Sequence, residues 1–138
     1  MTRPLARLLL AALASAPAAT AAIACPAEGQ GFRRLKTAAA EIAYRWEPAE
    51  LKVGQFFAAE VVACRAPGPD PVAEIAIDAI MPAHGHGMNY RPAAARTGTG
   101  HYRFTGLMLH MPGTWRVTFD LIQGAKRTRL THEVTLRP

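Results

Sequence analysis

The nine residues Thr114 to Ile122, TWRVTFDLI, place Trp115, Val117, Phe119 and Leu121 on one parity and Arg116, Thr118 and Asp120 on the other. A helix would scatter these groups around its circumference, whereas a strand sends alternate side chains to opposite faces. The segment therefore predicts a half-buried strand, and any fold for this chain must supply an apolar layer opposite it. The same reading extends to Val72–Ile80, where Ile75, Ile77 and Ala79 alternate with Glu74, Ala76 and Asp78.

Further strands are predicted at Glu41–Glu47, Gln55–Cys64, Tyr102–Leu109 and Arg127–Leu136, each rich in branched or aromatic residues and bounded by Gly or Pro. RAPGPDP closes one of them, its prolines lacking the donors that a sheet ladder needs. Met88–Arg96 reads as one more strand, confined to a sheet edge by Pro92. Cys25–Lys36 reads as an arm, with a short helical turn over Thr37–Ile42. About seven antiparallel strands in about a hundred residues predict an all-β, immunoglobulin-like two-sheet sandwich.

The N-terminus carries Arg3 and Arg7 before an apolar run that ends in small residues, the plan of a secretory signal peptide over residues 1–24. Residues 25–39 would then be the arm and 40–138 the sandwich domain, with no transmembrane segment after signal removal. Removing 24 of 138 residues leaves 114, enough for one core. Ala22-Ile23-Ala24 fits a cleavage site, and lipid anchoring at Cys25 is the weaker alternative because Ala22 stands where a bulky aliphatic residue is usual. The expected location is the periplasm or another exported compartment. There, Cys25 and Cys64 most simply form a disulfide; a thiolate metal or redox site is the competing reading, disfavoured by the lack of CxxC spacing.

Formal charge falls from +6 to +4 once Arg3 and Arg7 leave, with 14 basic residues facing 10 acidic ones. The excess is scattered and lacks interleaved aromatic residues, which argues against a nucleic-acid partner.

Chemistry concentrates in MPAHGHGMNY (81–90) and LHMPG (109–113), which hold three of the five histidines. In an extended segment His84, His86 and Met88 share a side. A hairpin turn at Thr97–Gly100 would set the two stretches against each other. With Gly98-Thr99 central, paired numbers sum to about 197 and His86 meets Met111; with Thr99-Gly100 central they sum to about 199 and Met88 meets Met111. Gly98 would take positive φ in the first case. His110 has the opposite parity and joins only if the chain bends at Met111-Pro112. Imidazole with thioether is a borderline-to-soft ligand set that favours copper, Cu(I) above all, over hard cations. The candidate metal ligands are His84, His86, Met88, His110 and Met111, while Met81 and Met108 read as core. No serine or free cysteine pairs with these histidines, and no close carboxylate pair or phosphate loop is present, so an enzyme is not expected.

The stretches VGQFFAAEVVAC, IDAIMPAHGHGMNYRP and GTGHYRFTGLMLHMPGTWRVTFDL resemble the YtkA-like family of small exported bacterial domains. The matching positions are Met81, Pro82, His84, His86, Gly87, Met88, His110, Met111, Pro112, Gly113 and Trp115. The resemblance implies an immunoglobulin-like sandwich and a part in periplasmic metal handling. Together with the residues it suggests a copper accessory or chaperone protein that works with a periplasmic or membrane-bound copper-handling partner. The alternative is a non-metal interaction module of the cell envelope, with Met88, Tyr90 and Trp115 as contacts.

Overall fold

The computed structural model describes residues 25, 27, 29–68 and 70–138. The signal peptide reading, its cleavage site included, lies outside the described residues. Among those described, nine strands form two antiparallel sheets. β1 (Arg33–Lys36), β2 (Glu41–Glu47), β3 (Phe56–Arg65), β7 (His101–Met108) and β6 (Ala93–Gly98) build the first, in that order. β5 (His86–Gly87), β4 (Glu74–Met81), β8 (Gly113–Gln123) and β9 (Lys126–Leu136) build the second. The fold is an immunoglobulin-like sandwich, and no helix among the described residues is long and apolar enough to cross a membrane.

Alternation does the work that the sequence assigned to it. Trp115, Val117, Phe119 and Leu121 are buried, and Ile75, Ile77, Ala79 and Met81 of β4 lie beside them in the same sheet. The facing sheet contributes Ile42, Tyr44 and Trp46 from β2, Phe57, Ala59 and Val61 from β3, and Tyr102, Phe104 and Leu107 from β7. Toward the β1–β2 side the Tyr44 ring lies 4.8 Å from Trp46 and 4.9 Å from Phe119, centroid to centroid. Each such large side chain contributes about 1.5–3 kcal/mol by leaving water, and each aromatic pair about 0.5–1.5 kcal/mol more.

Three expectations are corrected. The arm contains a strand: Arg33–Lys36 pairs with Tyr44–Glu41 and extends the first sheet by one edge. The helical turn at Thr37–Ile42 is instead a tight bend, in which Thr37 Oγ1 accepts from the Ala40 and Ala39 amides at 3.0 and 3.3 Å. A threonine hydroxyl that captures nearby amides competes with helix formation. The predicted strand Met88–Arg96 forms only from Ala93 onward, as β6; residues 88–92, Pro92 among them, lie outside any strand and carry the chain from β5 in the second sheet to β6 in the first.

The hairpin closes with Thr99-Gly100 central, Gly98 opposite His101, so the 199 register holds at the turn. A bulge between Arg96 and Gly98 then shifts the remaining pairs by one, Arg96 opposite Tyr102 and Ala93 opposite Thr105. Positive φ falls on Gly100 (71°), not on Gly98.

Candidate metal site

The two chemistry-bearing stretches meet by a route other than the hairpin. β4 ends at Met81, whose carbonyl accepts from the His84 and Gly85 amides at 3.2 and 2.9 Å. This turn, with Gly85 at φ 64°, reverses the chain so that His86 pairs with Met81 and Gly87 with Ile80. His86 is therefore a neighbour of β4 and is not paired with Met111 or LHMPG in a ladder. His84 sits in the turn itself, so the extended 84-86-88 face is replaced by a loop that projects both imidazoles into solvent.

On the other side β7 stops at Met108, and His110 to Pro112 leave the ladder before β8 begins at Gly113. Trp115 holds this corner, its Nε1–H donating to the Met111 carbonyl at 3.0 Å. The corner is the bend that His110 needed. Its ring lies 5.3 Å from the buried Trp115 ring and 6.4 Å from His86, and His86 lies 6.2 Å from His84. Three imidazoles thus form a row that runs from the rim of the core out to the turn.

His110 Nδ1 is buried and has no hydrogen-bond partner among the described residues. Leaving such a nitrogen unpaired costs about 1–3 kcal/mol. The His84 and His86 rings, by contrast, are exposed and make no side-chain hydrogen bond among the described residues, so they are free to reorient. No three His, Cys, Asp or Glu side chains among the described residues stand as a ready-made ion cage.

Met88 and Met111 are half-buried and pack against the core, Met88 following His86 and Met111 following His110 in sequence. Met88 is fixed by its amide, which donates to the Ala79 carbonyl at 2.8 Å. Met81 is fully buried, as expected of a core residue, and its methyl fits against Gly113, where an added Cβ would stand 3.2 Å away. Met108 is only half-buried. Trp115 is wholly buried, which removes it from the candidate contact residues and makes it a support for His110.

Sequence reasoning missed Phe56. It is 58% exposed and meets Tyr90, 44% exposed, edge to face at 5.2 Å. Phe56 opens a strand whose next residue, Phe57, is core, and a doubled aromatic at a strand start was the available signal.

Cys25 and Cys64 are joined as a disulfide at the opposite end of the sandwich, with Cα atoms 4.5 Å apart.

The family model described as YtkA-like matches residues 38–120. Among solved structures, that of a DUF4426 family protein from Pseudomonas aeruginosa PAO1 is similar, with a TM-score of 0.50 and 11% identity. The match covers 79% of this chain and 97% of that one, and it shows a shared fold. No curated protein matches the sequence.

Proposed function

The chain belongs to the YtkA-like family, and from that premise we propose that it is a periplasmic copper-binding protein of the accessory or chaperone kind. Membership and the Cys25–Cys64 disulfide mark it as exported. Its ligands on this reading are His84, His86 and His110, with Met88 and Met111 as thioether donors, and copper is cargo to be held and passed on.

The observation that carries the reading is the unpaired Nδ1 of His110, whose ring lies 6.4 Å from that of His86. Imidazole nitrogen is among the commonest metal ligands, and a metal ion is a partner that nitrogen lacks. The donor set adds selectivity: neutral imidazoles and thioethers suit Cu(I), which demands neither carboxylate nor thiolate. The placement suits transfer, since the two exposed histidines stand on a projecting turn that a periplasmic or membrane-bound copper-handling partner can reach. The role is one of binding rather than catalysis.

Cu(I) competition titration of the protein against its His86→Ala, Met88→Ala double variant tests this. The variant is expected to lose at least about tenfold in affinity, the size of effect that losing even a supporting residue produces at a metal site. Equal affinity of the two proteins would overturn the assignment.

The exposed Phe56–Tyr90 pair favours a second reading, an interaction module of the cell envelope that needs no metal. Metal analysis of protein purified under copper-replete conditions separates the two: stoichiometric copper supports the first, and its absence with an intact fold supports the second.

A further inference from the structure

Polar side chains on the core-facing parity of a sandwich strand are unusual, because each must find a partner or lose hydration. Three occur together where the edges of the two sheets approach. β1 and β2 pair Arg33 with Tyr44, which puts both side chains on the face that looks toward the other sheet. On β9, His132 shares its parity with buried Leu130 and Leu136, and its ring lies 5.8 Å from that of Tyr44. Tyr44 is fully buried and its hydroxyl makes no hydrogen bond of good geometry among the described residues.

Arg33 and His132 belong to the wall of a cleft of about 810 Å³ between β1, the β2–β3 loop and the end of β9. Trp46, Leu51, Val53 and Val134 give it an apolar lining, and Lys52 and Arg137 stand at its rim. Two acids, Glu50 and Glu133, also border it, but Glu133 faces Arg116 at 3.6 Å. Among the described residues Arg33, Lys52 and Arg137 enter no ion pair with a carboxylate side chain. Burial raises the pKa of Tyr44 against the charge and hydrogen-bonding reach of the neighbouring Arg33 guanidinium, so the hydroxyl keeps its proton. Burial and the charge of Arg33 lower the pKa of His132, which favours its neutral form.

We propose that this cleft binds an organic carboxylate with an apolar body, the carboxylate held by Arg33 with Tyr44 and His132 behind it and the body lying against Trp46, Leu51 and Val134. A guanidinium is a donor that matches a carboxylate, the Tyr44 hydroxyl stands behind it rather than on the cleft wall, and the apolar lining gives the remainder of the molecule a place to leave water. The cleft shares an end of the sandwich with the histidine row, since the Gly54 amide in its bordering loop donates to the Leu109 carbonyl at 2.9 Å.

The test is titration of the protein with decanoate, and with decanol as the uncharged control, read by Trp46 fluorescence and by calorimetry. Saturable decanoate binding is expected at millimolar concentration or below, with decanol weaker by about tenfold, the equivalent of one charge-assisted hydrogen bond. Tyr44→Phe and Arg33→Gln should each weaken decanoate several-fold without lowering the thermal midpoint, because one removes an unpaired hydroxyl and the other lies on an exposed edge. Equal binding of decanoate and decanol, absence of saturable decanoate binding, or unchanged affinity in both variants would each overturn the proposal.

Discussion

The two ends of the sandwich are finished in opposite ways. At the disulfide end, Cys25–Cys64 ties the arm to β3 and Arg65 donates to the Ala38 and Thr37 carbonyls at 2.8 and 2.9 Å. The Ala63 amide donates to the Gly100 carbonyl at 2.8 Å, the Tyr102 hydroxyl to the Val72 carbonyl at 2.9 Å, and Gln123 Nε2 to the Asp70 carbonyl. Its buried orphan among the described residues, Gln123 Oε1, belongs to an amide whose nitrogen is already engaged. At the histidine end, residues 82–87 are exposed, His110 Nδ1 is buried without a partner, and Phe56, Ile80 and Tyr90 show large apolar surfaces. Folding alone accounts for the first end. The second keeps open groups that a self-contained domain would have paired or covered, which is the mark of a surface with something to bind.

The largest effect should come from opening the closed end. Replacing both cysteines, Cys25→Ala with Cys64→Ala, frees a loop of sequence separation 39, and loss of such a cross-link costs about 2–4 kcal/mol. Urea unfolding of the variant, and of the native protein with reductant, should show the same fall in midpoint. A variant as stable as the parent would mean that the hydrogen bonds close this end unaided, and the contrast between the ends would lose its strongest element.

Tyr102→Phe sharpens the same side at smaller scale. The hydroxyl removed is the donor to Val72, in a buried setting, and leaving that carbonyl unpaired should cost about 1–3 kcal/mol. A change below about 0.5 kcal/mol, the range of ordinary surface substitutions, would show that water replaces the bond and that the end is wetter than its packing indicates.

The alternation of Trp115 through Leu121 and of Ile75 through Ala79 made the core legible in the sequence, because burial on one face is a local property that each strand carries with it. The candidate site was legible as composition, in that the His84, His86 and His110 rings stand in a row 6.2 and 6.4 Å apart, but its geometry was not. A bulge at Arg96/Gly98 changed the hairpin register by one, and a one-residue slip reverses every face beyond it. The turn at Met81–Gly85 sent His86 back along β4, a route fixed by backbone hydrogen bonds that residue spacing does not encode. Arg33 reads in the sequence as a solvated residue of the arm, because a four-residue strand with no apolar alternation looks like loop, and its place beside Tyr44 follows only from the pairing of β1 with β2.

His110→Phe gives the smallest stability change and the most discriminating one. At the closed end the buried Tyr102 hydroxyl is paired, so its removal destabilises. His110 Nδ1 is unpaired, so an aromatic ring that keeps the contact with Trp115 while deleting the nitrogen removes a desolvation cost and loses no bond. The expected result is a thermal midpoint equal to or above that of the parent, worth up to about 1 kcal/mol, together with weakened Cu(I) binding in the competition assay. Stability and binding would then move in opposite directions at one residue, as they do where a group is kept for a ligand. A fall in midpoint with unchanged copper affinity would reassign His110 to the core and leave the histidine end as ordinary loop surface.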